Sequence, residues 1–147
     1  MKSFLKTKNV PFCDETITIT QLSGLERYDF LDYCSDLPKP DAPDKPAEDA
    51  SDKELNQYYE SMSAAVKKWE RLSFMGQSRL VAYGTKFDIE DLEERHKYIM
   101  SSMMPDQVKE LHDEIAKFSG IPLPEPEEEI EEPADSEKKS EPADPKG

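Results

Sequence analysis

The chain has 147 residues, which is the length of one small domain with appended segments. Its formal net charge is −14, and 35% of its residues are charged while another 35% are hydrophobic. Phosphate groups and anionic lipid surfaces repel such a chain, which argues against binding to nucleic acid or to a membrane through a basic patch. We expect a polar protein that is partly unfolded.

The first predicted element is a β-hairpin. Residues 16–20 alternate polar and apolar β-branched side chains, a pattern typical of a half-buried strand. We expect residues 4–12 to pair with this strand through a turn near Cys13 and Asp14. Because Pro11 cannot donate a ladder hydrogen bond, the first strand is predicted to be short or to lie at a sheet edge.

A first helix is predicted over residues 21–35. Thr20 or Ser23 can cap it, and Ser23 and Glu26 have the spacing of a capping box. Apolar residues recur at every third position and predict one apolar face: Leu22, Leu25, Tyr28 and Leu31. Four prolines follow within residues 37–50, and they predict a stiff, extended linker.

A block of helices is predicted after this linker. The first begins at the capping box of Ser51 and Glu54 and continues to about Leu80. Gly76 is a candidate bend or end of this helix, and Gly84 is a candidate C-terminal stop. The helix carries apolar residues at helical spacing: Leu55, Tyr59, Met62, Val66, Trp69 and Leu72.

Two further helices complete the predicted block. Asp88 is predicted to cap the first of them, with one side formed by Ile89, Leu92, His96, Ile99 and Met103. Pro105 is predicted to begin the second, which Gly120 and Pro122 end. Its narrow apolar seam consists of Met104, Val108, Leu111, Ile115 and Phe118.

The C-terminal segment is the most acidic part of the chain. From residue 121 onward, ten acidic residues stand against three lysines, and six prolines and few apolar residues accompany them. Such a segment cannot bury enough apolar surface to offset its ordering entropy, so we predict that it is disordered.

These patterns predict a mainly α fold with a small N-terminal β-hairpin. The predicted organisation is a hairpin plus helix (1–36), a Pro-rich linker (37–50), a helical, bundle-like block (51–120) and a disordered acidic tail (121–147). The apolar content of the block supports a modest core, so we expect homo-oligomerisation or partner docking to add stability.

No residue pattern indicates catalysis or metal binding. Cys13 and Cys34 lack CxxC spacing, which favours free thiols. His96 and His112 are not in a metal-binding spacing, and we interpret both as surface or boundary histidines. We predict no enzyme activity, no cofactor and no metal.

An aromatic and methionine-rich stretch of the long helix is the candidate partner-binding surface: Tyr58, Tyr59, Met62, Trp69, Phe74 and Met75. Two interpretations remain open, because such residues pack in cores and also form adaptable faces for other proteins. The run of Met100, Met103 and Met104 near Tyr98 supports both equally.

The N-terminus combines an initial Phe-Leu-Lys-Thr, a hairpin, a Thr-rich strand and Leu-Ser-x-Leu-x-Arg. The residues of this pattern are Phe4, Leu5, Lys6, Thr7, Thr16, Thr18, Leu22, Ser23, Leu25 and Arg27. Over roughly the first 33 residues, the segment resembles the minor tail protein G family of lambda-type long-tailed phages, whose members are tail assembly chaperones.

The resemblance implies a protein that binds the tape measure protein, supports tail tube assembly and is absent from the mature virion. It also implies a longer product of −1 ribosomal frameshifting, whose extension recruits the tail tube protein. The codons of residues 144–146 are compatible with a slippery heptamer. Neither a membrane-spanning run nor an apolar signal core is present, so we expect the host cell cytoplasm.

Two other functions remain open. The acidic charge fits a DNA-mimic inhibitor of a host protein, although half of that charge lies in the tail rather than on a rigid face. A structural minor tail component that stays in the virion is the other alternative.

Overall fold

The computed structural model describes residues 2–123. Two strands, Thr7–Phe12 (β1) and Glu15–Thr20 (β2), precede four helices, Gly24–Asp36 (α1), Asp52–Gly84 (α2), Leu92–Ser102 (α3) and Pro105–Phe118 (α4). The prediction of a mainly helical fold with an N-terminal β-hairpin is confirmed. The division into domains stays a prediction, and residues 124–147 of the predicted tail lie outside the described residues.

The hairpin turns where the sequence predicts. Cys13 and Asp14 connect the strands with φ angles of 49° and 65°, the left-handed backbone that a two-residue type I′ turn requires. The first strand begins at Thr7 rather than at residue 4, because the Lys6 amide donates to the side chain of Gln21 instead of to a backbone carbonyl of β2. Beyond β2, the chain turns toward the N-cap of α1 at Ser23.

The capping box of α1 is confirmed, but its predicted apolar face is wrong. Ser23 Oγ accepts from the Glu26 amide at 3.1 Å, and Glu26 Oε1 accepts from the Ser23 amide at 2.9 Å. Leu25, Tyr28 and Leu31 are 72%, 67% and 46% exposed, whereas Phe30 is buried. At 100° per residue, Phe30 lies about 140° around the helix from Leu25, so the three-residue repeat faces away from the core.

The long helix α2 begins at its predicted capping box of Ser51 and Glu54. It contains 33 residues, about 50 Å of helix, passes through Gly76 and ends at the predicted stop, Gly84. An added Cβ at Gly84 would lie 2.6 Å from Ile115 Cγ2, so α2 and α4 approach more closely there than any larger residue allows.

Helix α3 is capped by Asp91 rather than by Asp88. The Glu94 amide donates to Asp91 Oδ2 at 2.9 Å. Phe87 and Asp88 have positive φ angles of 48° and 58°, and this left-handed turn delays the helix to Leu92. The predicted side of α3 is confirmed, since all five of its residues are buried or half-buried.

Helix α4 begins at Pro105 as predicted and buries Val108, Leu111 and Ile115. Met104 is exposed, contrary to the predicted seam, because it lies at the N-cap before the first turn. Gly120 ends the helix at φ 73°, where the amide of Ile121 donates to the Ala116 carbonyl at 2.8 Å.

One hydrophobic cluster joins the hairpin to α1, the C-terminal part of α2, α3 and α4. Gln21 also connects the N-terminal segment to α4. Its Oε1 accepts from the Lys6 amide at 2.9 Å, and its Nε2 donates to the Phe118 carbonyl at 3.0 Å. The hairpin is therefore packed on the helices, as its marginal stability in isolation requires.

Candidate functional site

Before its buried C-terminal segment, α2 presents an apolar stripe that is largely exposed within residues 2–123. No side chain from residue 52 to residue 64 is buried, and Ala65 is the first buried residue of the helix. At spacings of three, four and three, the helix presents what we call the α2 stripe: Tyr59, Met62, Val66 and Trp69. The stripe continues into the core, where Leu80 and Gly84 are buried.

Trp69 lies between two grooves. The first has a volume of about 290 Å³ and is lined on the α1 side by Phe30, Cys34 and Leu37. The second lies on the α4 side, where Pro105 and Lys109 form its far wall. Because Trp69 lines both, a helix laid along the α2 stripe has an apolar recess on each side.

The structure separates the residues that the sequence groups as a partner-binding surface. Tyr59 and Trp69 are exposed, whereas Tyr58, Met62, Phe74 and Met75 are half-buried. Phe74 packs against the core, and Tyr58 lines a groove formed with linker residues 43–50. Val66, exposed between Met62 and Trp69, belongs to the same face although it is absent from that group. Its position seven residues after Tyr59 is the signal that identifies it.

His96 is buried, so its interpretation as a surface or boundary residue is wrong: only 3% of it is exposed. A guanidinium nitrogen of Arg79 donates to His96 Nδ1 at 3.2 Å. The other terminal nitrogen of Arg79 pairs with Glu93 at 2.8 Å, and its plane lies over the ring of Tyr33. This polar cluster joins α1, α2 and α3.

The tautomer of His96 follows from this geometry. Since arginine can only donate, Nδ1 must accept, and the ring proton resides on Nε2, 3.2 Å from the Met75 carbonyl. Burial lowers the pKa of His96, and the nearby charge of Arg79 lowers it further. The imidazole is therefore neutral at pH 7.

Ser78 lies beside His96, but the pair is not arranged for nucleophilic catalysis. Its Oγ is 3.0 Å from His96 Nε2, the nitrogen that already carries the proton and so cannot accept another. The Ser78 hydroxyl donates to the Phe74 carbonyl at 2.7 Å, and the residue is fully buried. The cluster fixes the packing of three helices, although Arg79 Nε is buried without a hydrogen-bond partner among residues 2–123.

A second buried arginine, Arg95, fixes the connection between α2 and α3. Its Nε donates to the Ala82 carbonyl at 2.6 Å, and one terminal nitrogen donates to the Ile89 carbonyl at 2.6 Å. Ala82 lies in the last turn of α2, where orphan carbonyls and the helix dipole favour a cation.

His112 is half-buried on α4 and lines the first groove beside Trp69. Its Nδ1 lies 2.8 Å from Asp113. Within residues 2–123, no three histidine, cysteine or acidic side chains are grouped as a metal site requires. Nor does any helix in this range combine the length and apolarity needed to cross a membrane.

The model of the bacteriophage lambda tail assembly chaperone family, TAC, protein G, matches residues 3–141. The chain belongs to this family. The match extends through the linker and all four helices, far beyond the N-terminal segment that carries the resemblance. No curated protein and no solved structure gives a significant match.

The residues that carry the resemblance to the chaperone family lie mainly on the surface. Phe4, Leu5, Lys6, Thr7, Thr16, Thr18 and Leu25 are exposed, and Arg27 is half-buried. Leu22 is buried in the core, and Ser23 caps α1. Of the residues in this pattern, Leu22 and Ser23 therefore have a clear structural role.

Proposed function

We propose that this chaperone binds the tape measure protein and supports assembly of the tail tube around it. Membership of the tail assembly chaperone family supports this proposal. The observation that carries it is the α2 stripe, three of whose four apolar side chains are exposed on a helix of about 50 Å. A long helical client buries its own apolar face by lying along this stripe.

The two grooves beside Trp69 suit a helix-in-groove complex. Side chains three and four positions apart on a client helix enter the recesses on either side of the Trp69 indole. Aromatic anchors in such positions dominate binding energy at protein interfaces. Burial of each large apolar side chain contributes about 1.5–3 kcal/mol, and the freedom lost on association offsets part of this gain, so stable binding requires several such side chains together.

The acidic composition supports the same role. The net charge of −14 keeps a complex with an aggregation-prone client in solution by mutual repulsion between complexes. Half of this charge belongs to residues 121–147, which carry ten acidic residues and three lysines. We therefore propose that the acidic segment keeps complexes apart by charge repulsion, and that α2 makes the contact with the client.

Binding is tested by copurification of the tape measure protein with tagged chaperone. We expect Trp69→Ser to lower recovery of the client by about tenfold, because it removes the anchor shared by both grooves. Tyr98→Ser is the matched control, since Tyr98 and Trp69 are 44% and 43% exposed. Equal client recovery by wild type and Trp69→Ser would show that α2 does not bind the tape measure protein through Trp69.

The remaining steps are proposals of the same scheme. The chaperone acts in the host cell cytoplasm and leaves before the virion is complete. A −1 frameshift adds an extension that recruits the tail tube protein. Mass spectrometry of purified particles tests the release, because an abundant signal from this chain would instead identify a structural tail component. Sequencing of the longest product made from the gene tests the frameshift.

A further inference from the structure

We infer that α1 carries a second docking surface, which binds a cationic amphipathic segment of a partner protein. We call this surface the α1 face. It consists of three apolar and three acidic residues: Leu25, Tyr28, Leu31, Asp29, Asp32 and Asp36. It lies apart from the α2 stripe and does not depend on the proposed client.

The apolar part of the α1 face contributes nothing to the core. Leu25 and Tyr28 are each about two-thirds exposed or more, and Leu31 is nearly half exposed. The one buried side chain of α1 is Phe30, which lies on the opposite side of the helix. Three large apolar side chains exposed to water on one helix lower the solubility of the protein. A protein–protein contact that covers them would explain why they are exposed.

The acidic part of the α1 face has no partner within residues 2–123. Asp29, Asp32 and Asp36 are exposed, and no ion pair or side-chain hydrogen bond in that range includes them. Their spacings of three and four residues place them beside one another, so their charges repel.

These carboxylates also oppose the helix dipole. Asp32 and Asp36 lie in or near the last turn of α1, which contains no basic residue. Negative charge at a helix C-terminus destabilises the helix, whereas a cation there would stabilise it. Lys39 Nζ donates to the Cys34 carbonyl at 3.2 Å, and its positive charge partly offsets the negative charge at this end of α1. The free protein therefore loses stability by keeping this arrangement.

Charge complementarity identifies the partner. The α2 stripe is bordered by exposed side chains of both signs, including Lys67, Lys68 and Glu70. The exposed charges of the α1 face are all negative, and Arg27, the single basic residue of α1, is half-buried. A segment with an apolar stripe flanked by lysine or arginine satisfies both parts of the α1 face at once.

The test uses the full chain and a synthetic amphipathic helix of about 18 residues, with leucines at helical spacing flanked by lysines. A peptide with glutamates in place of the lysines is the probe control. Fluorescence anisotropy measures binding at two salt concentrations. We expect Leu25→Ser/Leu31→Ser to weaken binding of the lysine peptide by about tenfold, and Tyr59→Ser/Val66→Ser to leave it unchanged.

The charges are tested separately from the apolar residues. Asp29→Asn/Asp32→Asn should weaken binding about fivefold and flatten its salt dependence. Asp36→Lys should weaken binding yet raise the thermal midpoint of unfolding, because it places a cation at the C-terminus of α1. A fall in both affinity and thermal midpoint would indicate a folding defect instead of a docking role.

All variants retain the acidic C-terminal segment, so peptide binding to that segment is the same throughout. Wild-type affinity in Leu25→Ser/Leu31→Ser would overturn the inference and assign binding to general acidity. Loss of binding only in Tyr59→Ser/Val66→Ser would show that the lysine peptide binds the α2 stripe instead of the α1 face. Recovery of the tape measure protein by the α1 variants should stay normal, so failure here leaves the proposed function intact.

Discussion

A guanidinium nitrogen of Arg79 donates a hydrogen bond to His96 Nδ1 over 3.2 Å inside the folded core. Protonation of His96 would turn this acceptor into a donor and place two cations in contact. The hydrogen bond is therefore compatible only with a neutral imidazole.

The stability of the fold should decrease as the pH falls below about 6.5, the usual pKa of histidine in an unfolded chain. The pKa of folded His96 is lowered, mainly by burial. Between these two pKa values the unfolded chain binds more protons, so acid favours unfolding until folded His96 is itself protonated. Urea unfolding between pH 7.5 and 5 measures this loss. In His96→Gln the dependence should be weaker, and identical slopes in both proteins would refute the assignment.

Gly84→Ala should destabilise the fold by about 1–3 kcal/mol, because its Cβ would lie within 3 Å of three Ile115 side-chain atoms. Gly76→Ala in the same helix is the control. Its Cβ would lie 3.5 Å from Cys34 Sγ, an ordinary contact, so a better helix former should stabilise α2 by up to about 1 kcal/mol. Chemical denaturation of both variants checks the opposite signs. Equal effects would mean that α2 and α4 are less closely packed.

Arg95→Met should cost roughly 2–3 kcal/mol, since it leaves the Ala82 and Ile89 carbonyls without their charged donor. Hydrogen exchange should accelerate first in residues 85–91, the connection that Arg95 holds. Arg71→Met replaces an exposed arginine of α2 and should change stability by less than about 0.5 kcal/mol. Unchanged exchange in that connection would show that Arg95 does not fix it.

The two capping boxes should respond differently to loss of the cap. Ser23→Ala should lower global stability by about 1 kcal/mol, because Ser23 joins the core residue Leu22 to α1. Ser51→Ala should fray the first turns of α2, where no side chain is buried, with little effect on the global transition. Circular dichroism and urea unfolding separate the two effects.

Local chemistry predicted most of the element ends. The capping boxes at Ser23 and Ser51, the stop at Gly84 and the start at Pro105 each depend on neighbouring residues, and the structure confirms them. Asp88 failed as a cap because it adopts a left-handed backbone, which sequence spacing does not reveal. Asp91, three residues later, has the same side chain in the backbone conformation that a cap needs.

Tertiary contacts were the part that spacing could not predict. The three-residue repeat of Leu25, Tyr28 and Leu31 gave no indication that Phe30 would be the buried side chain of α1. Likewise, Arg79 and His96 lie on different helices, and only packing brings them together. The candidate site was partly predicted, since helical spacing selects Tyr59, Met62 and Trp69. Only tertiary packing separates them from Phe74, which contacts the core.

The central claim is that the α2 stripe masks apolar surface of the tape measure protein. It is tested most directly by the soluble fraction of that protein when expressed with wild-type chaperone, with Val66→Ser/Trp69→Ser, or alone. The account predicts a high soluble fraction with wild type and a fraction close to that of the client alone with the variant. A client equally soluble in all three expressions would contradict it.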